Sequence, residues 1–186
     1  MSTAFLFPGQ GSQHSGMGLD LFSQFPELLN KADQVLGYSI EEICLGEDAV
    51  LLNQTHFTQP ALYVVSCMEA MVKIAEGTTP RFAAGHSVGE FAALQCANVF
   101  SFTDGLQMVA KRGEIMTKIS GGGMAAVIGL GVDEIASVLS EQNADQVDLA
   151  NFNSPGQVVI SGPAEQVNQV LSPIKDNGAR MVVPLK

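Results

Sequence analysis

The chain has 186 residues, 46% hydrophobic and 15% charged, which is enough apolar material for a folded core and too little charge for disorder. Its 19 acidic and 9 basic residues give a net charge of -10, which disfavours binding to nucleic acid or anionic membranes. No signal-peptide pattern opens the sequence and no apolar run is long enough to span a bilayer, so we predict a cytoplasmic protein.

Strand and helix patterns follow one another along the first part of the chain. The run Ala4–Phe7 precedes a Pro-Gly turn and is typical of a buried strand of a parallel sheet. A helix is predicted from Pro26 until Gly37 ends it, and a second helix, apolar on nearly every face, is predicted to begin at Pro60. Residues 82–84 are the next strand candidate. This alternation predicts an α/β fold.

A further helix is predicted after Ser101, because Ser101 and Asp104 have the spacing of a capping box. Its apolar side chains recur at helical spacing and predict one buried stripe: Leu106, Val109, Ala110 and Met116.

The sequence changes in character at the glycine run 121–123, which we interpret as a linker. Strands are predicted at residues 124–130, 147–151, 157–161 and 179–185, and helices around residues 133–142 and 164–176. The order βαββαβ predicts a small ferredoxin-like subdomain over residues 121–186, following a larger subdomain over residues 1–120.

Cysteines and histidines show no pattern typical of a metal site or a disulfide framework. The cysteines are widely spaced and predict free thiols, with Cys67 and Cys96 in apolar surroundings. His14 and His56 are predicted to lie in loops without a catalytic role. No pair of potential ligands has convincing metal spacing, so we predict no metal and no other cofactor.

The pattern Gly85-x-Ser87-x-Gly89 lies between a predicted strand and an apolar helical segment. It is typical of a nucleophile elbow, where the turn is so sharp that larger side chains would clash on either side of the serine. Ser87 is therefore the candidate nucleophile. The backbone N–H of Val88, at the start of the helix, is a candidate donor to an oxyanion. A match to this short pattern also arises by chance in a chain with 19 glycines.

The longer segment around this pattern, GHSVGE at residues 85–90, resembles the GHSxGE motif of acyl-carrier-protein S-malonyltransferases and polyketide-synthase acyltransferase domains. Four further blocks resemble that family in the same order and spacing: FPGQGSQ at residues 7–13, QPA at 59–61, KRG at 111–113 and NFNSPGQ at 151–157. The chain is therefore similar to the N-terminal part of malonyl-CoA:acyl-carrier-protein transacylases, with an α/β-hydrolase-like large subdomain.

The resemblance implies roles for five residues. Ser87 would attack malonyl-CoA, and the backbone N–H groups of Gln10 and Val88 would bind the oxyanion. The planar guanidinium of Arg112 would bind the malonyl carboxylate through two parallel hydrogen bonds. His86 would support the site without acting as the base. The implied reaction transfers malonyl from malonyl-CoA, as substrate, to the phosphopantetheine thiol of an acyl carrier protein, in fatty-acid or polyketide synthesis.

The family's catalytic histidine, which follows the last strand of the small subdomain, has no counterpart in this sequence. The C-terminal part of the large subdomain has none either. We therefore expect a fragment of a longer enzyme that is weakly active by itself, because a serine needs a base to be nucleophilic at neutral pH. Exposed sheet edges would also favour association.

Three alternatives remain open from the sequence. A thioester hydrolase of the same fold would not need a carboxylate-binding residue, so Arg112 argues against it. An ordinary esterase would not share the family's other blocks. A catalytically silent module would instead dock a carrier protein through a basic patch formed by Lys111, Lys118, Lys175 and Arg180.

Overall fold

A computed structural model describes residues 2–46 and 49–185 of the chain. The chain forms two units, one ending at Lys118 and the other beginning at Ile119, and each has its own cluster of buried apolar side chains. None of the helices in these described stretches combines the length and apolarity needed to cross a membrane.

The first unit is built around a parallel pair of strands. Its described elements are β1 (Ala4–Phe7), α1 (Leu19–Phe22), α2 (Pro26–Leu36), α3 (Ile40–Leu45), α4 (Ala49–Leu52), α5 (Thr55–Ala75), β2 (Phe82–Gly85), α6 (Gly89–Cys96) and α7 (Phe102–Lys118). Strand β1 pairs in parallel with β2, with Ala4 opposite Phe82. The α/β class is confirmed. The predicted alternation is wrong between the two strands, because five helices follow one another there.

Strand β1 lies where the sequence predicts it, but only part of it is buried. Phe7 is 7% exposed and packs into the core, whereas Leu6 is 78% exposed. Successive side chains of a strand point to opposite faces of the sheet. In the described part of the chain β1 pairs only with β2, and the face that carries Leu6 remains open.

Helix α5 begins five residues before the predicted start, at Thr55, so that Pro60 lies inside the helix. A proline has no N–H to donate to the carbonyl four residues earlier. That carbonyl belongs to His56 and accepts a long hydrogen bond of 3.4 Å from Tyr38 Oη instead. His56 is therefore helical, and the prediction of a loop there is wrong. The predicted burial is confirmed, since residues 58–68 are all buried.

Helix α7 begins after Ser101, as predicted. Ser101 Oγ accepts from the Asp104 N–H at 3.1 Å and donates to the Asp104 carboxylate at 2.6 Å. Leu106 and Val109 are fully buried, which confirms the centre of the predicted stripe. Met116 is 41% exposed, so its predicted burial is wrong, and its sulfur accepts a hydrogen bond from a side chain of α5.

The second unit contains β3 (Gly122–Ile128), α8 (Val132–Glu141), β4 (Asp148–Ser154), β5 (Gln157–Pro163), α9 (Ala164–Asp176) and β6 (Met181–Leu185). Its sheet has the order β4-β5-β3-β6, and all neighbouring strands are antiparallel. This confirms the predicted ferredoxin-like fold. The linker prediction is wrong for Gly122 and Gly123, which belong to β3 and pair with Pro163 and Gly162.

Candidate active site

Ser87 lies in the sharp turn between β2 and α6. Its φ is 54°, a left-handed conformation that is uncommon for residues other than glycine and is often found at functional sites. The flanking glycines make the turn possible. A Cβ on Gly85 would lie 2.1 Å from the backbone carbon of Gly89, and one on Gly89 would lie 2.3 Å from the carbonyl oxygen of Phe7. The predicted nucleophile elbow is therefore confirmed.

The two predicted oxyanion donors lie at the start of α6 and in the loop after β1. Val88 immediately precedes α6, where the helix dipole favours a negative charge. The backbone N–H groups of Val88 and Gln10 donate no hydrogen bond to any residue that the structure describes. Neither N–H is therefore committed to an acceptor within the described part of the chain.

His86 is exposed and lies against the loop that carries Gln10. A Cβ on Gly9 would be 2.6 Å from His86 Nδ1, and the His86 N–H donates to the carbonyl of Phe7 at 3.0 Å. These contacts join the elbow to the end of β1. They are consistent with a supporting position for His86, and its functional role stays a prediction.

Arg112 reaches the candidate nucleophile from α7. Its Nη2 donates to Ser87 Oγ at 3.0 Å, and its Nη1 donates to Gln59 Oε1 at 2.6 Å. The fold therefore places the predicted nucleophile and the predicted carboxylate-binding residue in one site, although they are 25 positions apart in the sequence.

No carboxylate of the described residues forms an ion pair with Arg112. Its two hydrogen-bond partners are neutral, and the ion pairs of the described residues are all lysine–glutamate pairs. Burial lowers the pKa of the half-buried guanidinium, and the Glu90 carboxylate opposes that shift. Arginine remains protonated at neutral pH in proteins, so Arg112 presents a positive charge beside Ser87.

Gln59 is a site residue to which the sequence analysis gave no role. Its side chain is fully buried in α5, and its Nε2 donates to Gln10 Oε1 at 3.4 Å and to Met116 Sδ at 3.1 Å. Gln59 thus connects the loop of Gln10 with the guanidinium of Arg112. The signal was available in the sequence, because a buried amide in an otherwise apolar helix needs hydrogen-bond partners.

Gly113, next to Arg112, explains how α7 comes so close to α5. A Cβ on Gly113 would lie 3.0 Å from the Cα of His56 and 3.3 Å from the carbonyl oxygen of Thr55. Since α7 packs directly on the first turn of α5, Arg112 lies within reach of Gln59.

The residues of the predicted basic docking patch are divided between the two units. Lys111 and Lys118 both pair with Glu114 on α7, while Lys175 Nζ donates to the carbonyl of Arg180 at 2.6 Å in the second unit.

Cys44 and Cys67 are buried free thiols, whereas Cys96 is only half-buried. No group of three potential metal ligands lies together in the described ranges 2–46 and 49–185.

Comparison with known proteins identifies the family. The sequence profile of the acyl transferase domain matches residues 4–184. The chain belongs to the acyl transferase domain family. A relative, the polyketide biosynthesis malonyl CoA-acyl carrier protein transacylase PksC of Bacillus subtilis, is 49% identical over 183 residues, which is 97% of this chain and 64% of that protein.

Solved acyl transferase structures agree with the fold. The malonyl CoA-acyl carrier protein transacylase of Burkholderia pseudomallei is 43% identical with a TM-score of 0.92, over 100% of this chain and 64% of that one. A malonyl-transacylase solved in complex with a type II PKS acyl-carrier protein is 39% identical with a TM-score of 0.91, over 100% of this chain and 62% of that one. The chain thus spans slightly less than two thirds of these relatives.

Proposed function

We propose that this chain carries the nucleophile and carboxylate-binding part of a malonyl-CoA:acyl-carrier-protein S-malonyltransferase. The observation that carries the proposal is the position of Arg112, whose guanidinium is held by neutral partners at hydrogen-bond distance from Ser87 Oγ. A cation beside a serine nucleophile suits an acyl group that ends in a free carboxylate. The names of the relatives, malonyl CoA-acyl carrier protein transacylases, support the same substrate.

In the first half-reaction Ser87 Oγ attacks the thioester carbonyl of malonyl-CoA. The tetrahedral oxyanion accepts hydrogen bonds from the N–H groups of Val88 and Gln10, and the C–S bond then breaks. The products are a malonyl-serine ester and free CoA. A base takes the hydroxyl proton and returns it to the leaving thiolate, and the sequence resemblance implies a histidine in this role.

In the second half-reaction the phosphopantetheine thiol of an acyl carrier protein attacks the ester. The base takes the proton of this thiol, the malonyl thioester forms as the carbon–oxygen bond to Ser87 breaks, and the base then gives the proton to the Ser87 oxygen. The relative solved in complex with an acyl-carrier protein supports this partner. The residues that we assign to these steps require no metal and no redox cofactor.

Arg112 has enough donors to bind the malonyl carboxylate while it remains oriented. The guanidinium carries five N–H groups, and one on Nη1 is directed to Gln59. We propose that the substrate carboxylate takes up N–H groups that include the one now directed to Ser87. A hydrolase of simple acyl thioesters gains nothing from this arrangement, which makes the transferase the better supported function.

Intact-mass spectrometry after incubation with malonyl-CoA tests the proposal. The wild-type chain is tested alone and with a polypeptide that corresponds to the remaining third of the relatives. We expect a malonyl adduct that is lost in Ser87→Ala and weakened in Arg112→Ala. Arg112→Lys is the matched control, because it keeps the charge but loses the planar pair of donors.

Addition of an acyl carrier protein then separates transfer from hydrolysis. Transfer moves the malonyl group to the phosphopantetheine thiol, whereas hydrolysis releases free malonate. If no adduct forms even when the remaining polypeptide is supplied, the chain is not a malonyltransferase part, and the catalytically silent alternative is favoured.

A further inference from the structure

The loop after β1 is held by side chains from the start of α5. Gln10 Nε2 donates to Thr55 Oγ1 at 3.2 Å, and Gln10 Oε1 accepts from Gln59 Nε2 at 3.4 Å. Thr55 and Gln59 are one helical turn apart and therefore lie on the same face of α5. Both ends of the Gln10 side-chain amide are thus bound to one rigid element.

The hydroxyl of Thr55 does not cap its own helix. The residue before α5 is Gln54, whose side chain forms no capping hydrogen bond. Thr58 instead stabilises this turn internally, since its hydroxyl contacts the carbonyl oxygens of Leu52 at 2.6 Å and Gln54 at 3.0 Å. The side-chain hydrogen bond of Thr55 is directed to the loop.

A second contact holds the same loop three residues later. Gln13 Nε2 donates to Asn53 Oδ1 at 2.9 Å, and Gln13 Oε1 accepts from the Gly11 N–H at 2.7 Å. The peptide that follows Gln10 is therefore connected, through Gln13, to the residues that precede α5.

A backbone N–H stabilises an oxyanion well only if its position is fixed before the reaction begins. The loop contains glycines on both sides of Gln10, which gives its backbone freedom unless other groups restrain it. We propose that Thr55 is a positioning residue, whose hydroxyl fixes the Gln10 side chain and thereby the Gln10 N–H that binds the oxyanion. Asn53 acts in the same way through Gln13. This inference rests on the proposed function and adds to it a residue outside the catalytic groups.

The test compares Thr55→Val, which removes the hydroxyl at nearly constant volume, with Thr55→Ser, which retains it. The rate of Ser87 malonylation is measured by intact mass as a function of malonyl-CoA concentration. For Thr55→Val we expect a maximal rate about tenfold lower and an unchanged half-saturating concentration. This loss of rate is smaller than the roughly 10²–10³-fold loss that follows removal of an oxyanion donor itself, because the Gln10 N–H remains present. Thr55→Ser should restore the rate.

Thr58→Val is the matched control, because it makes the same change three residues later in the same helix. It should lower the midpoint of urea unfolding without changing the maximal rate of the folded protein. In ¹⁵N–¹H NMR spectra, Thr55→Val should shift the side-chain and backbone amide signals of Gln10, and Thr58→Val should leave them in place.

The outcomes separate the two proposals. A wild-type chain that malonyl-CoA does not modify even when the remaining polypeptide is supplied overturns the proposed function, and with it the role of Thr55. If the wild type is modified and Thr55→Val reacts at the same maximal rate, only the positioning role is overturned. An equal rate loss in Thr55→Val and Thr58→Val would also overturn it, because the cause would then be stability.

Discussion

The Gln59→Glu substitution places a second carboxylate on the guanidinium that we propose binds the malonyl group. The new oxygen takes the position of Gln59 Oε1, 2.6 Å from Arg112 Nη1, in a side chain that is fully buried. A malonyl carboxylate on the other N–H groups would lie about 5 Å away, where two unit charges repel by about 3 kcal/mol at an effective dielectric constant of about 20. This corresponds to a loss of affinity on the order of a hundredfold.

The assay is the rate of Ser87 acylation, followed by intact mass over a range of acyl-CoA concentrations. We expect Gln59→Glu to raise the half-saturating concentration of malonyl-CoA about a hundredfold. The value for acetyl-CoA, which has no free carboxylate, should hardly change. Gln59→Met is the control for the lost hydrogen bond, because it has a similar volume and adds no charge. Its effect should be about tenfold, from the loss of a hydrogen bond to a charged group.

Two results would refute this reasoning. If Gln59→Glu and Gln59→Met raise the half-saturating concentration equally, charge repulsion is not the cause. If malonyl-CoA and acetyl-CoA are affected equally, Arg112 does not bind the carboxylate, and the proposed function loses its main support.

Other predictions concern packing, capping and thiol reactivity. Gly113→Ala should lower the free energy of unfolding in urea by up to about 2 kcal/mol, because the crowding of the added methyl against the backbone of α5 exceeds the roughly 1 kcal/mol that alanine gains over glycine in a helix. At Gly156 no atom lies within 4 Å of an added methyl, so Gly156→Ala should change the free energy of unfolding by less than about 0.5 kcal/mol. Equal changes for the two glycine substitutions would contradict the packing argument. Ser101→Ala should cost about 1 kcal/mol in the same measurement, because the N-terminal N–H groups of α7 lose their acceptor. Ser137→Ala, inside α8, should not destabilise the protein. In the native protein a thiol reagent should modify one cysteine quickly, half-buried Cys96, at a rate that rises with pH as thiolate forms. Burial raises the pKa of the Cys44 and Cys67 thiols to about 12. Rapid labelling of either thiol before urea is added would therefore contradict the structure.

Several parts of the fold were predictable because their causes are local. The run Ala4–Phe7 before Pro8 predicts β1, and Pro26 and Gly37 mark the two ends of α2. The start of α5 was not predictable from the preference of proline for the first turn. Pro60 is tolerated inside the helix because the carbonyl of His56, which lacks an N–H partner there, accepts from Tyr38 in the loop between α2 and α3.

The exposure of side chains in the sheet also depends on more than the local pattern. An apolar run predicts burial, but Leu6 is 78% exposed because burial depends on which elements cover each face of the sheet. Met116 is exposed for a related reason. It lies near the C-terminal end of α7, beyond the buried residues of that helix, and a helical period alone does not show where packing ends.

The sequence by itself determined the elbow, the family and the ferredoxin-like unit, because each depends on residues at short, regular spacing. Only the tertiary structure decided which groups meet at Ser87. Arg112 reaches partners that lie 25 and 53 positions away, and the packing of α7 on α5 brings them together. The hydrogen-bond partners of Gln59 and Thr55 became apparent only there, because a hydrogen bond between distant residues depends on how the elements pack rather than on the pattern of any one of them.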